Sequence, residues 1–168
     1  MSEFERMIDL REIGNVPIAL SASAEECAAL AARFDLVAVE RLAATITLEP
    51  NGKTVNAAGR LIAEIVQSCA ISGEDLPVSI DETLTLRFVP ARAATAADID
   101  LTAEELDELE YTGTAFDLGE AVAQSLALAI DPYLEGTNAN TARHKVGLLG
   151  EDQAGPMASA LRELLKKN

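Results

Sequence analysis

Three consecutive stretches of this chain alternate apolar and polar residues over long distances, and that period of two limits what the chain can become. In the first, Leu42, Ala44, Ile46 and Leu48 alternate with Arg41, Ala43, Thr45 and Thr47. The second places Val55, Ala57, Gly59, Leu61, Ala63 and Ile65 on one face. Thr54, Asn56, Arg60 and Glu64 share the other with Ala58, Ile62 and Val66. The third sets Leu76, Val78, Ile80, Leu84, Leu86 and Phe88 against Ser79, Asp81, Thr83, Thr85 and Arg87, with Glu82 interrupting the apolar row. Successive side chains of a strand point to opposite faces, so each run is a strand with one dry face and one wet face. Pro50-Asn51-Gly52 marks a turn after the first run, and Asn-Gly is a strong hairpin dipeptide. Ser72-Gly73-Glu74-Asp75 marks the next. Sequential hairpins of this kind make an antiparallel β-meander.

The dry face of such a sheet needs a cover, and two helices are available. Ser23 with Glu26 forms a capping box, and Cys27, Leu30, Ala31 and Phe34 follow at helical spacing on one stripe. Cys27 in that stripe reads as a small core hydrophobe. The second helix is the most apolar run in the chain. Asp117 with Glu120 is another capping-box pattern, and Pro132 requires the helix to stop by Asp131. Leu118, Val122, Ser125, Leu126 and Ala129 line one stripe, and only Gln124 suits water elsewhere. A helix apolar all round is buried. At about 14 residues it is too short to span a bilayer, which takes ~20. The expected class is α+β, with a meander covered on one face by helices.

The flanks are less regular. Residues 4–20 read as short extended segments, with Phe4, Arg6, Ile8 and Leu10 alternating with their neighbours and Val16, Ile18 and Leu20 doing so after Gly14-Asn15. Between residues 98 and 110, Thr102 and Glu105 suit the cap of a short helix carrying Leu106 and Leu109. Leu106, Glu108 and Glu110 equally suit a strand running to Tyr111. Residues 135–156 show no period and are expected to be structureless. Met157, Ala160, Leu161, Leu164 and Leu165 form a narrow amphipathic stripe, a terminal helix over about 157–166. The expected organisation is one domain over 1–133 and a weakly ordered tail over 134–168.

A chain of 168 residues buries roughly 70% of its unfolded surface and holds a core without staples. Two cysteines make no disulfide framework and fit a reducing cytosol. The opening MSEFERMIDL carries acids and no apolar run, so no signal peptide is expected, and no window is apolar enough for a membrane span. A cytoplasmic protein is the expectation. Its net charge of −15 is unevenly placed. Residues 93–142 hold eleven acids and no Lys or Arg, whereas the remainder carries 17 acids against 13 bases. Such a field repels phosphate backbones and attracts basic partners. An acid-rich run is also an ordinary device for solubility.

Reaction chemistry is thin. There is no phosphate-binding loop, nucleotide-binding glycine fingerprint, metalloprotease helix or nucleophile elbow. His144, the single histidine, stands in a Gly/Asn-rich context and reads as a solvated residue. One His and two distant Cys make no soft-metal site, so neither metal nor cofactor is expected. Cys69 falls where the second strand ends. The position is open to exposure, but no base lies within eight positions to activate it, and the structural reading is the stronger. Carboxylate density alone motivates a metal-dependent hydrolase or nuclease, the weakest reading. With no Trp and 4% aromatics, direct nucleic-acid binding rests only on Arg41, Arg60 and Arg87 on the wet sheet face.

The order of several segments resembles the YceD family, the large ribosomal RNA subunit accumulation proteins. They are RLAATITL, GRLIAEIVQSCAISGEDLPVSI, TLRFVP and the acidic stretch leading into FDLGEAVAQSLALAIDPY, the resemblance covering roughly Leu36 to Tyr133, and then GPMASALRELLKK near the end. Many members of that family carry a Cys-x-x-Cys pair and later cysteines suggestive of a metal site. Here Ser72 stands three residues after Cys69, where the second cysteine of the pair would be, and no further cysteine follows, so no metal role carries over. The resemblance implies a cytoplasmic factor in the accumulation or processing of large-subunit ribosomal RNA, with no enzymatic activity to transfer.

The residues expected to bind a partner are Asp98, Asp100, Glu104, Glu105, Asp107, Glu108 and Glu110. They have no joint role in capping or packing, whereas Asp117 and Glu120 are accounted for by the helix they start. The expected partner is a basic ribosomal protein or a pre-ribosomal particle. The alternative is structured RNA held by Arg41, Arg60 and Arg87. Oligomeric state is left open, since an open sheet edge also offers a route to dimers.

Overall fold

A computed structural model describes residues 2–91 and 108–145. Its elements are β1 (Met7–Asp9), β2 (Ile18–Ser21), α1 (Ala24–Arg33), β3 (Ala38–Asn51), β4 (Thr54–Ser68), β5 (Asp75–Pro90), β6 (Glu108–Tyr111), β7 (Ala115–Asp117), α2 (Leu118–Ala129) and α3 (Ala139–Lys145). The class is α+β, and the main sheet has five strands in the order β2-β3-β4-β5-β6. The three alternating runs are its long central strands. β3 and β4 pair antiparallel from Ala38↔Val66 to Asn51↔Thr54, closed by a two-residue loop whose Gly52 has φ 66°.

The chain separates into two compact units, one of Met1–Gln67 with Pro77–Asp131 and one of Ser68–Leu76 with Pro132–Asn168. This division differs from the expected 1–133 and 134–168, because the second unit takes in the turn between β4 and β5.

In the first unit the dry face is the one the alternation marks. Leu42, Ile46, Leu48, Val55, Leu61 and Ile65 are essentially inaccessible, and Leu30, Leu118, Val122 and Leu126 from α1 and α2 join the same core. Each such side chain removed from water contributes about 1.5–3 kcal/mol. The Ser23–Glu26 capping box forms as the sequence indicates. At α2 only half of the box forms: the Asp117 carboxylate accepts the Glu120 N–H at 3.1 Å, while the Glu120 carboxylate is drawn away to Arg33. Burial of α2 on all sides holds only for its start. Leu128 is 89% exposed, a correction to the expectation, because it falls on the side of α2 away from the Leu118, Val122 and Leu126 stripe that packs on the core.

Two pairings go beyond a meander. β6 runs parallel to β5, not antiparallel, with Arg87↔Glu108 and Pro90↔Tyr111 in register. Parallel neighbours need a long crossover, and residues 91–107 provide its length. β1 and β7 form a separate two-stranded antiparallel sheet, Met7↔Asp117 to Asp9↔Ala115. The chain just before β1 lies across the start of α2. Phe4 is fully buried, Arg6 accepts the Leu118 N–H at 2.9 Å, and a Cβ on Gly119 would sit 2.0 Å from the Phe4 carbonyl oxygen.

In the second unit, the residues expected to be structureless over 135–156 include α3. The Ala142 N–H donates to the Asn138 carbonyl at 3.0 Å, Ala139 is buried, and the Asn138 amide donates to Glu74 at 2.7 Å. A seven-residue helix with one buried residue shows no helical period in sequence, which is why it was not legible there. The rest of 146–156 and the terminal stripe over 157–166 lie outside the described residues.

Candidate partner-binding site

Asp98, Asp100, Glu104, Glu105 and Asp107 lie outside the described residues. Glu108 and Glu110 lie on β6, so the end of the acidic run is strand, the second of the two conformations its sequence suits. Alternation sorts the four residues of β6. Leu109 and Tyr111 pack with the core, while Glu108 and Glu110 share the wet face. Glu108 meets Arg87 at 3.2 Å across the parallel pair. Glu110 is exposed and has no partner among the described residues.

β6 is held firmly on one side. The Tyr111 carbonyl accepts the Ala91 N–H at 2.8 Å, and the Tyr111 hydroxyl donates to the Lys53 carbonyl in the β3–β4 loop. Peptide groups alternate in direction along a strand, so with those of Tyr111 facing β5, those of Glu110 face away from it. Among the described residues β6 is the last strand of its sheet.

Under this edge, on the core side, lies a half-open pocket of ≈ 330 Å³. Its floor is aromatic. Phe88 and Phe116 stack with ring centroids 4.1 Å apart, and Tyr111 tilts against Phe116 at 6.1 Å. Met7, 53% exposed, forms an apolar lip. The polar lining is Glu110, Thr112, Asp117, Glu120 and Gln124: three carboxylates and no Lys or Arg. Asp117 also accepts the Arg6 backbone N–H at 2.8 Å. The Arg33 guanidinium holds the Glu120 carboxyl down at about 2, with Ser2 and Gln124 donating to it as well. Backbone donors hold the Asp117 carboxylate in position, and Arg33, Ser2 and Gln124 hold that of Glu120. Sequence reasoning did not find this pocket. Its signal was that three of the six Phe and Tyr residues flank the acidic run.

The wet face of the sheet places Arg41, Arg60 and Arg87 on three successive strands, as the alternation indicates. Two of the three are already engaged. Arg60 grips Asp81 through Nε and Nη2, both at 2.5 Å, and Arg87 holds Glu108. Arg41, exposed beside a β-bulge, stands in register with Glu64. Each arginine therefore has a carboxylate as its cross-strand neighbour, and the stripe offers phosphate little uncompensated charge.

A second concavity, ≈ 440 Å³, lies between α1 and the start of β3. Ala24, Ala28, Ala31, Ala32, Leu36 and Val39 line it, with no side-chain donor or acceptor. Cys27 is buried in the α1 stripe, where burial and nearby Glu26 push its thiol up.

Cys69 is not exposed at the end of its strand. It is buried at 3%, with Sγ accepting the Gly136 N–H at 3.2 Å and the Ser72 N–H at 3.3 Å. These donors, Gly136 first, bring its thiol down to about 7 without any neighbouring base. The expected lack of local activation considered only charged side chains and missed the backbone. His144 is exposed on α3. Among the described residues no three His, Cys, Asp or Glu side chains gather as a ligand set, and no helix is long and apolar enough to cross a membrane. No family model, curated protein or solved structure matches the chain.

Proposed function

We propose that the protein is a non-enzymatic cytoplasmic factor of the YceD type, acting in accumulation of large-subunit ribosomal RNA by binding a basic ribosomal protein or a pre-ribosomal particle that displays one. The observation that carries this reading is the charge asymmetry: eleven acids and no base over residues 93–142. The local geometry is consistent with it. Glu110 stands exposed and unpaired among the described residues, beside a pocket lined by carboxylates alone among charged groups. Charge complementarity of this kind accelerates encounter, rejects nucleic acid and weakens with salt. Direct RNA binding through Arg41, Arg60 and Arg87 has less support, because Arg60 and Arg87 are already in ion pairs.

The test is an affinity pull-down from ribosomal particles at low and high salt. The wild-type chain retains a basic ribosomal component at low salt and releases it at high salt. A variant with Asp98, Asp100, Glu104, Glu105, Asp107, Glu108 and Glu110 changed to Asn or Gln loses it. Retention undiminished in that variant sinks the reading. Loss instead in an Arg41/Arg60/Arg87→Ala triple variant transfers the contact to RNA.

A further inference from the structure

We infer that the outer edge of β6 takes an extended basic segment of the partner as an added strand, with one Lys or Arg side chain entering the pocket beneath it. The inference rests on the basic-partner reading above and specifies how that partner is held.

Three observations converge on this edge. The peptide groups of Glu110 face away from β5, so they are aimed at a strand not supplied by the described residues. The pocket opens on the core side of the same edge, where alternate side chains of an added strand would point. Its chemistry is that of a long cationic side chain. The stem would lie along Met7 and Phe116, and the head would reach the Asp117 carboxylate, with Glu110 at the rim of the edge. Fixed carboxylates over an aromatic floor stabilise a cation through both charge and the ring quadrupole. The intervening side chains of the added strand would fall on the wet face beside Glu108 and Glu110, where Lys and Arg are again favoured. A strand basic at successive positions therefore suits both sides of the edge.

A second copy of the chain is the wrong occupant. Its own β6 carries Glu108 and Glu110, and aligning two such edges opposes like charges. Acidic side chains on an edge strand are a device against that pairing.

The probe is a fluorescein-labelled Val-Lys-Val-Lys-Val-Lys-Val peptide titrated into the full chain at low salt, read by anisotropy and by the amide resonances of β6. A second peptide carries N-methyl groups at alternate backbone nitrogens, which keep every charge but remove the ladder donors. A third replaces lysine by norleucine, which keeps the stem and loses the charge. On the protein side, Ala115→Trp fills the pocket, and unchanged circular dichroism confirms its fold.

The parent peptide binds, shifts the Glu110 amide and slows its hydrogen exchange. N-methylation, norleucine and Ala115→Trp each weaken binding at least about tenfold, the size of one lost buried contact of ~1.4 kcal/mol. Equal binding of the parent and N-methylated peptides overturns the added strand while leaving the charge-based function standing. Peptide binding as described, with no retention of any ribosomal component, overturns the function and leaves the edge site standing. Peptide binding that appears only after residues 93–106 are replaced by a Gly/Ser linker overturns the proposal in favour of a cover from the chain itself. Self-association abolished by Ala115→Trp overturns it in favour of a second copy.

Discussion

Arg33 on α1 grips Glu120 on α2 with both terminal nitrogens, Nη1 at 2.8 Å and Nη2 at 2.6 Å. The same guanidinium reaches Glu3 at 2.8 Å, and Ser2 and Gln124 donate to the Glu120 carboxylate. One carboxylate thus ties together the first residues, α1 and the start of α2.

That pairing sets a pH dependence. The Glu120 carboxyl lies at about 2 in the folded chain against an ordinary 4.5. Its contribution is therefore complete above about pH 4.5 and is lost as pH falls through about 2. Both side chains are about a quarter to a third exposed, which limits the gain through solvent screening. Glu120→Gln is expected to lower stability at neutral pH by about 1 kcal/mol in urea unfolding. The difference from wild type should vanish near pH 2.

Gly119→Ala reverses an ordinary rule. Within a helix the change normally stabilises by up to ~1 kcal/mol. Here the new Cβ would lie 2.0 Å from the Phe4 carbonyl oxygen and 3.0 Å from the Arg6 nitrogen, both backbone atoms that cannot swing aside. A loss of about 2–3 kcal/mol is expected. Amide exchange should quicken in the first eight residues and at Leu118, whose N–H donates to Arg6.

The thiol of Cys69 is expected to titrate near pH 7, read as thiolate ultraviolet absorbance in a Cys27→Ala background that leaves it the only cysteine. Because its folded value lies below the ordinary 9.0, ionisation favours the folded chain. Stability should rise between pH 7 and 9, be complete above about 9, and be lost as pH falls through about 7. Cys69→Ala should remove that slope.

Leu128→Ser tests the open side of α2. With the side chain 89% exposed, the substitution is expected to change stability by no more than ~0.5 kcal/mol. Leu126→Ser two residues earlier, fully buried, should cost several times that in the same thermal melt.

What was legible in the sequence followed from periodicity. Alternation from Leu42 to Phe88 identified three long strands and their dry face, because one-sided burial leaves a period of two on every residue of a strand. The caps at Ser23 and Asp117 were legible because capping is local. β6, of four residues, suited strand and helix alike, and β7, of three, did not show at all, since each has too few residues to establish a period. Their placement depends on distant partners, Arg87 for Glu108 and Met7 for Asp117. The pocket was illegible for the same reason. Met7, Phe88, Tyr111 and Phe116 meet only through pairings across the length of the chain.

The strap from Phe4 to Arg6 sets a schedule for the newborn chain. Arg6 donates to Asp117, 111 positions later. At ~5–20 residues per second, synthesis of that interval takes roughly 6–20 s. Throughout it Phe4 is without its berth beside Gly119, and the dry face of the first hairpin is bare where α2 will lie. Phe4 and Arg6 are made long before they are secured, so slowing translation between residues 60 and 117 lengthens the time that this apolar surface stands open to chaperones and to other nascent chains.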